Sequence, residues 1–263
     1  MIDAKRRRMM LALVVLIAAA LAGSIGCGAS SQDVAYEDPS AEEWSPWEEQ
    51  ASGEDAAEED SGGASSIPAG ITVHMCGRSV LGGWFDHWGW DYDPGNPVRF
   101  GAYRLVYREM DVPPGIVDTA VETAREVGDA GGGIMFFKLC FADFVGGDED
   151  SARENLESNQ RMVRDVVEAA MEEEGLMLIL GNALPVVEEY SDEWMVWNQR
   201  EYNRFLEELA DGYGGRVLVL DLYGVLSAPD GSLRPEYAAD PYDSHLNDAA
   251  YDALDGELAK ILQ

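Results

Sequence analysis

A serine placed to act as a nucleophile needs a base within hydrogen-bond reach and a carboxylate to orient that base. Ser79 stands where such a serine would. It follows the alternating run Ile71 to Cys76, the chain breaks at Gly77, and the serine falls in what reads as the first turn of a helix. The chain holds only His74, His87 and His245 as candidate bases. His74 sits inside the strand pattern and reads as core or sheet-facing. His87, in "WFDHWGWDY", reads as part of the helix after Ser79. His245 lies in "DPYDSHLNDAAYDAL", in a loop ahead of the last helix. A loop there can fold back over strand ends, so His245 is the candidate base. Asp243 is its nearest acidic neighbour and Asp240 the second candidate. The alternative for Ser79 is a plain helix cap, and for His245 an ordinary residue near a helix start. No His/Cys cluster has metal-ligand spacing, so the chemistry is expected to need no metal or cofactor.

These residues must be held by a scaffold, and the pattern of the chain supplies one. Ile71 to Cys76 reads as a first strand, with a helix from about Ser79. Tyr103 to Tyr107 reads as a short strand. "PPGIVDTAVETAREVGDAGG" has prolines at its start and glycines at its end, as a helix should. "IMFFKLCF", Ile134 to Phe141, reads as a buried strand. A helix is expected from about Ser151 to Glu174, where Leu156, Met162, Val163, Val166 and Val167 recur on one face. "LMLILGNALP" reads as a buried strand ending at Gly181, Ser191 to Tyr213 as a helix, and "RVLVLDLYGV" as the last strand. A loop to Ser244 and a helix from about Asn247 finish the chain. Apolar strands alternating with helices imply a mainly parallel sheet covered on both faces, a doubly wound α/β sandwich. In such sheets the site lies beyond the carboxyl ends of the strands. The polar residues there are Ser79, Asp143, Asn182, Asp221 and the loop of His245.

The N-terminus reads differently. In "MIDAKRRRMMLALVVLIAAALAGSIGC", residues Lys5 to Arg8 are basic and Met9 to Ala22 almost wholly apolar, and small residues lead to Cys27. The apolar run is shorter than the roughly 20 residues of a membrane span and fits the core of a secretory signal. The ending resembles a bacterial lipoprotein signal, in which Cys27 would be lipidated. An uncleaved anchor or a signal cut elsewhere are the alternatives, and all put the body outside the cytoplasm. Residues 28–70 are rich in Ser, Ala, Gly, Glu and Asp and lack Lys and Arg. Such a segment buries too little apolar surface to order itself, so it reads as an acidic tether. Residues 71–263 have the size of one domain. With 50 Asp and Glu against 18 Lys and Arg, the formal net charge is -32, which argues against nucleic-acid binding. Beyond Cys27, the thiols of Cys76 and Cys140 read as strand residues. They are either paired, as an oxidising compartment permits, or buried and free.

The order of serine after the first strand, "FKLCFADF", "NQREYNRFLEELADGYGGRVLVLDL" and "YDSHLNDAAY" resembles SGNH/GDSL-type hydrolases, in a divergent bacterial branch, over essentially the whole domain. The resemblance implies Ser79 as nucleophile and His245 as base. Three positions depart from the family pattern. Arg78 stands where the turn usually has aspartate. Tyr242 stands three residues before the histidine, where the carboxylate is usual, while Asp243 is two before. Ala142 stands where the third block has an asparagine that donates to the oxyanion, a donor worth on the order of a hundredfold in rate. Replacement donors are the backbone N–H groups of Ser79, Gly82 and Gly83, the side chain of Asn182, and the charges of Arg78 or Lys138. Asp143, Asn198 and Arg200 are candidate supports, although Asn198, Arg200 and Asn203 also fit an ordinary helix surface.

The aromatic group Trp84, Phe85, Trp88, Trp90 and Tyr92 suits a sugar-stacking surface. Trp84 and Trp88, four apart, also fit a buried helix face, and Trp90 and Tyr92 are the better rim candidates. The implied activity is that of an extracytoplasmic serine esterase acting on a small-molecule or glycan ester, an O-acetylated surface glycan among them. The alternatives are an impaired glycan-binding or envelope-assembly lipoprotein, and a transferase using the same serine.

Overall fold

The computed structural model describes residues 70–93 and 96–263; the expected signal, Cys27 and nearly all of the tether lie outside the described residues. Six strands form the main sheet: β1 (Thr72–Gly77), β2 (Val98–Phe100), β3 (Tyr103–Glu109), β4 (Gly133–Lys138), β5 (Leu176–Gly181) and β6 (Val217–Leu220). Their spatial order is β2-β3-β1-β4-β5-β6. All neighbours run parallel except β2, which pairs antiparallel with β3 at the edge. The order reverses between β1 and β4. The carboxyl ends of these two strands diverge towards connections on opposite sides, which leaves a crevice there.

Helices α1 (Ser79–His87), α2 (Ile116–Asp129), α3 (Glu149–Glu172), α4 (Glu193–Asp211), α5 (Leu222–Leu226) and α6 (Asp248–Ile261) cover the sheet. Strand side chains alternate between two cores. Met135 and Phe137 of β4 pack with Ala120 of α2, Val163 of α3 and Phe205 of α4. Ile134 and Phe136 pack with Trp84 of α1, Leu226 of α5 and Tyr251 of α6. This period of two explains why the central strands read as continuous apolar runs: both faces are buried. Among the described residues, no helix is long and apolar enough to cross a membrane.

Four expectations need correction. The edge strand β2 has no signal in the sequence beyond three residues before a turn. The apolar run after β4 ends at Lys138, and Phe141–Asp143 form a single 3-10 turn. The run "RVLVLDLYGV" is half strand: Asp221 accepts from the Gly224 N–H at 2.8 Å and starts α5. The long loop before the last helix contains a hairpin of β7 (Ala238–Asp240) and β8 (Asp243–Leu246), so β6 is not the last strand.

Candidate functional site

Ser79 opens α1 directly after β1, and its side chain is exposed. Arg78 precedes the helix with non-helical backbone, and its side chain does not cap the helix. The first backbone N–H with an intrahelical partner is that of Gly82, which donates to the Arg78 carbonyl at 3.0 Å. The N–H groups of Ser79, Val80 and Leu81 precede any such partner by helix geometry. Beside the Ser79 hydroxyl they form a concentration of donors at the positive end of a helix dipole.

β8 carries the other two groups. Residues two apart on a strand face the same side, so Asp243 and His245 point together and Ser244 points inward. The Ser244 hydroxyl accepts from the Val187 N–H at 3.1 Å and pins the strand to the body. Asp243 Oδ1 accepts from the His245 backbone N–H at 3.0 Å, a local turn that fixes the carboxylate. The same oxygen lies 2.6 Å from His245 Nδ1. His245 Nε2 lies 3.0 Å from Ser79 Oγ. With Nδ1–H donating its hydrogen bond to the ionised carboxylate, Nε2 is free to accept from the serine hydroxyl. Burial pushes the Asp243 pKa up, but the hydrogen bonds from the His245 ring and backbone and the charge of that ring outweigh it, so the net value lies below the ordinary one. Asp240 instead accepts from the Tyr242 N–H at 2.9 Å.

The remaining candidates fall into place as follows. Gly82 and Gly83 lie inside α1, so their N–H groups are spent in the helix rather than offered to an oxyanion. Gly83 is needed for packing: a Cβ there would stand 2.3 Å from the Tyr251 hydroxyl, which donates to the Val80 carbonyl at 3.0 Å. Asn182 is buried and faces β6; it donates to Asp221 at 2.8 Å and accepts from the N–H groups of Leu222 and Tyr223, each at 2.8 Å. It ties two strand ends together. Arg78 is ion-paired with Asp143. Lys138 is buried, with its ammonium donating to the Leu139 carbonyl at 3.3 Å. Burial lowers its pKa, opposed by Cys140 and Asp143 and assisted by Arg78.

Asn198 is fully buried rather than on a helix surface, and it donates to the Val145 carbonyl at 2.9 Å. Asn203 accepts from the Ala183 N–H at 2.8 Å, and Arg200 donates to the Pro229 carbonyl at 3.4 Å. Cys76 and Cys140 are buried free thiols, the latter just past β4 rather than within it. Burial pushes the Cys76 thiol up to about 12.

His74 and His87 stand apart from Ser79. His74 is half-buried in β1 against Arg108 Nε at 3.3 Å. His87 lies 3.2 Å from Asp248 and 3.3 Å from Asp252. An open cavity of about 620 Å³ runs from His245 along Gly83, Asp86 and His87 of α1 to Asp248 and Tyr251 of α6. Among the described residues, no group of three or more His, Cys, Asp or Glu is arranged to hold a metal ion. Trp84 is buried, and both Trp84 and Trp88 donate to Asp255, at 2.7 and 3.0 Å. Trp90 packs on Phe85, Tyr92 and Tyr107, and Tyr92 is exposed.

Sequence reasoning missed Phe141, whose ring meets the His245 ring edge-on with centroids 5.3 Å apart. It also missed the asparagines behind Asp143: Asn155 and Asn159 each donate to the Asp143 carbonyl at 3.0 Å. The spacing of Asn155 and Asn159, four apart on one helix face, is the one signal that pointed there.

No known family's profile matches the chain, and no curated protein matches it. Solved structures do resemble it, and many of them are GDSL-family lipolytic proteins. One is a GDSL-like lipase from Bacteroides thetaiotaomicron: 15% identical, 73% of this chain and 87% of that one, TM-score 0.49. Another is a member of the G-D-S-L lipolytic family from Veillonella parvula: 16% identical, 72% and 96% covered, TM-score 0.49. A third is a salicylyl-acyltransferase from a tetracycline biosynthetic pathway: 15% identical, 74% and 55% covered, TM-score 0.43. Likenesses at this level say nothing about the chemistry of this chain.

Proposed function

We propose that this protein is a serine esterase of the acylhydrolase kind. The observation that carries the reading is the unbroken line from Asp243 through His245 to Ser79, with steps of 2.6 and 3.0 Å. Ser79 Oγ attacks the ester carbonyl while His245 Nε2 takes its proton. The ionised Asp243 holds Nδ1–H and stabilises the imidazolium. The N–H groups of Ser79 and Val80 receive the negative charge that grows on the carbonyl oxygen, in place of the side-chain amide absent at Ala142. Nε2–H then protonates the leaving alcohol. Water, deprotonated by the same nitrogen, attacks the acyl-serine and releases the acid, restoring the hydroxyl.

The basic, apolar and small-residue order ending at Cys27 supports an extracytoplasmic position with a lipid anchor. That location, together with exposed Tyr92 beside Trp90, supports an acyl ester on a surface glycan as substrate.

The test is a fluorophosphonate probe on the full chain, with the adduct mapped by mass spectrometry. The reading expects labelling at Ser79 that disappears in Ser79→Ala and His245→Ala. A folded protein left unlabelled, or esterase activity surviving in Ser79→Ala, overturns it.

A further inference from the structure

We propose that the ion pair of Arg78 and Asp143 is a positioning pair that sets Ser79 and His245 against each other; this rests on the reading of Ser79 as nucleophile. Arg78 is the residue immediately before Ser79, and Asp143 ends the turn that begins with Phe141. The Phe141 ring packs edge-on against His245. One contact between Arg78 and Asp143 therefore joins the backbone that carries the nucleophile to the turn that backs the base.

Four features mark the pair as an anchor rather than an incidental surface bridge. First, it is sunk: the side chains are 18% and 4% exposed. A pair withdrawn from water in this way keeps its geometry, whereas an exposed pair does not. Second, Asp143 has no freedom to follow a moving arginine. Its other carboxylate oxygen accepts from the Cys140 N–H at 2.7 Å, and its carbonyl is gripped by Asn155 and Asn159 of α3. Asn155 in turn accepts from Asn198 of α4 at 2.8 Å, so two helices brace the turn.

Third, Arg78 keeps this position at a cost. Its Nε is buried without a hydrogen-bond partner, and a buried donor left unpaired is destabilising. Fourth, the chain has few cations to spend, 18 against 50 acids. Even so, one of them is held by Asp143, and the buried Lys138 feels the charges of both members of the pair.

The experiment measures kcat and KM of the full-length protein on p-nitrophenyl acetate, with active sites counted by fluorophosphonate titration. The proteins are wild type, Arg78→Ala, Asp143→Ala, the double variant and Arg78→Lys. The expected result is a fall in kcat per titrated site of roughly 10- to 100-fold in each alanine variant, with KM within about twofold, because misplacement by about 1 Å costs on that order. The double variant loses no more than the worse single one, as a coupled pair requires. Arg78→Lys recovers most of kcat.

A merely structural role would lower the titrated fraction and leave kcat per site unchanged, and that outcome overturns the proposal. So do single losses that multiply in the double variant. Should Arg78→Ala fail to fold, Arg78→Lys and Asp143→Asn read the same quantity. A wild type that takes no label sinks the esterase reading and the positioning pair together; a labelled wild type with an equally fast Arg78→Ala sinks the pair alone.

Discussion

The two flanks of Ser79 are built on opposite plans. On one side Asp243 and His245 stand near the surface, with side chains 51% and 35% exposed. They are joined to each other by bonds between residues two apart. On the other side Arg78 is half-buried, Lys138 and Asp143 are buried, and the ion pair of Arg78 with Asp143 spans 65 residues of chain. The exposed flank is cheap to hydrate and costs the fold little, and on the proposed reading its imidazole takes up and returns a proton while Asp243 stays ionised. The buried flank pays in desolvation and gains fixed geometry. On the proposed reading, proton transfer and positioning are thereby separated onto two sides of Ser79.

The largest effects should come from the exposed flank and should appear mainly in rate. Ser79→Ala and His245→Ala are expected to lose on the order of 10⁴-fold or more in kcat/KM. The unfolding free energy of Ser79→Ala should stay within about 0.5 kcal/mol of wild type, as for a surface substitution that breaks no packing, and His245→Ala should lose about 1 kcal/mol, for its ring contact with Phe141. Urea melts and ester hydrolysis on the same samples check both halves. Asp243→Asn is expected to lose on the order of a hundredfold. This is less than a fully buried triad carboxylate, because water partly replaces an exposed one. Asp243 also carries an acid dependence. Its folded pKa is depressed, so its contribution to stability is present above the ordinary 3.8 and is lost as pH falls through the lowered value. Asp243→Asn should flatten that part of the acid-denaturation curve. A large loss of stability at neutral pH in any of these variants would break the comparison.

Much of this arrangement was legible in the sequence, and the part that was not has a physical explanation. Strand-to-helix order and the placing of Ser79 follow from apolar runs and glycine breaks, which act locally, and His245 follows from its position ahead of the last helix, in a segment that folds as β8 rather than as a loop. The carboxylate stayed open between Asp243 and Asp240 because the segment read as loop. A two-residue spacing faces one way only on a strand, and β8 is four residues long, too short to show its period. Gly82 and Gly83 read as oxyanion donors because glycine signals close approach. What approaches is Tyr251, 168 residues further on from Gly83, and no local pattern reports such a contact. Asp143 read only as a candidate support, because its partner Arg78 lies 65 residues away, also beyond the reach of any local pattern.

A mid-sized effect tests the packing of α1 against α6. Alanine inside a helix usually stabilises relative to glycine by up to about 1 kcal/mol, yet Gly83→Ala is expected to destabilise by about 1–3 kcal/mol. Its Cβ would lie 2.3 Å from the Tyr251 hydroxyl, and that hydroxyl would have to leave the Val80 carbonyl. Adding Tyr251→Phe should restore part of the loss, since it removes the clashing atom and sacrifices a bond worth about 1 kcal/mol. Chemical denaturation of the two single variants and the double variant measures this. A stabilised Gly83→Ala would show that α1 shifts freely and that Ser79 is not held from this side.

The smallest effect sharpens the buried flank itself. Lys138 is buried with one hydrogen bond, to a neutral carbonyl, while Arg78 holds the nearby Asp143. Burial lowers the Lys138 pKa from its ordinary 10.5, so below 10.5 the unfolded chain binds a proton that the native state holds less well. Stability must therefore rise with pH through the window between the lowered value and 10.5. Lys138→Met, of similar length and without the amine, should match or exceed wild type by about 1 kcal/mol at neutral pH, since apolar replacements of buried charges are neutral or stabilising. The difference should close as pH approaches 10.5. Urea melts of both proteins from neutral to alkaline pH read the gap directly. A variant weaker than wild type across that range would mean that the attraction of Asp143 for Lys138 outweighs desolvation, and that the buried flank is a three-membered network rather than a pair beside a desolvated amine.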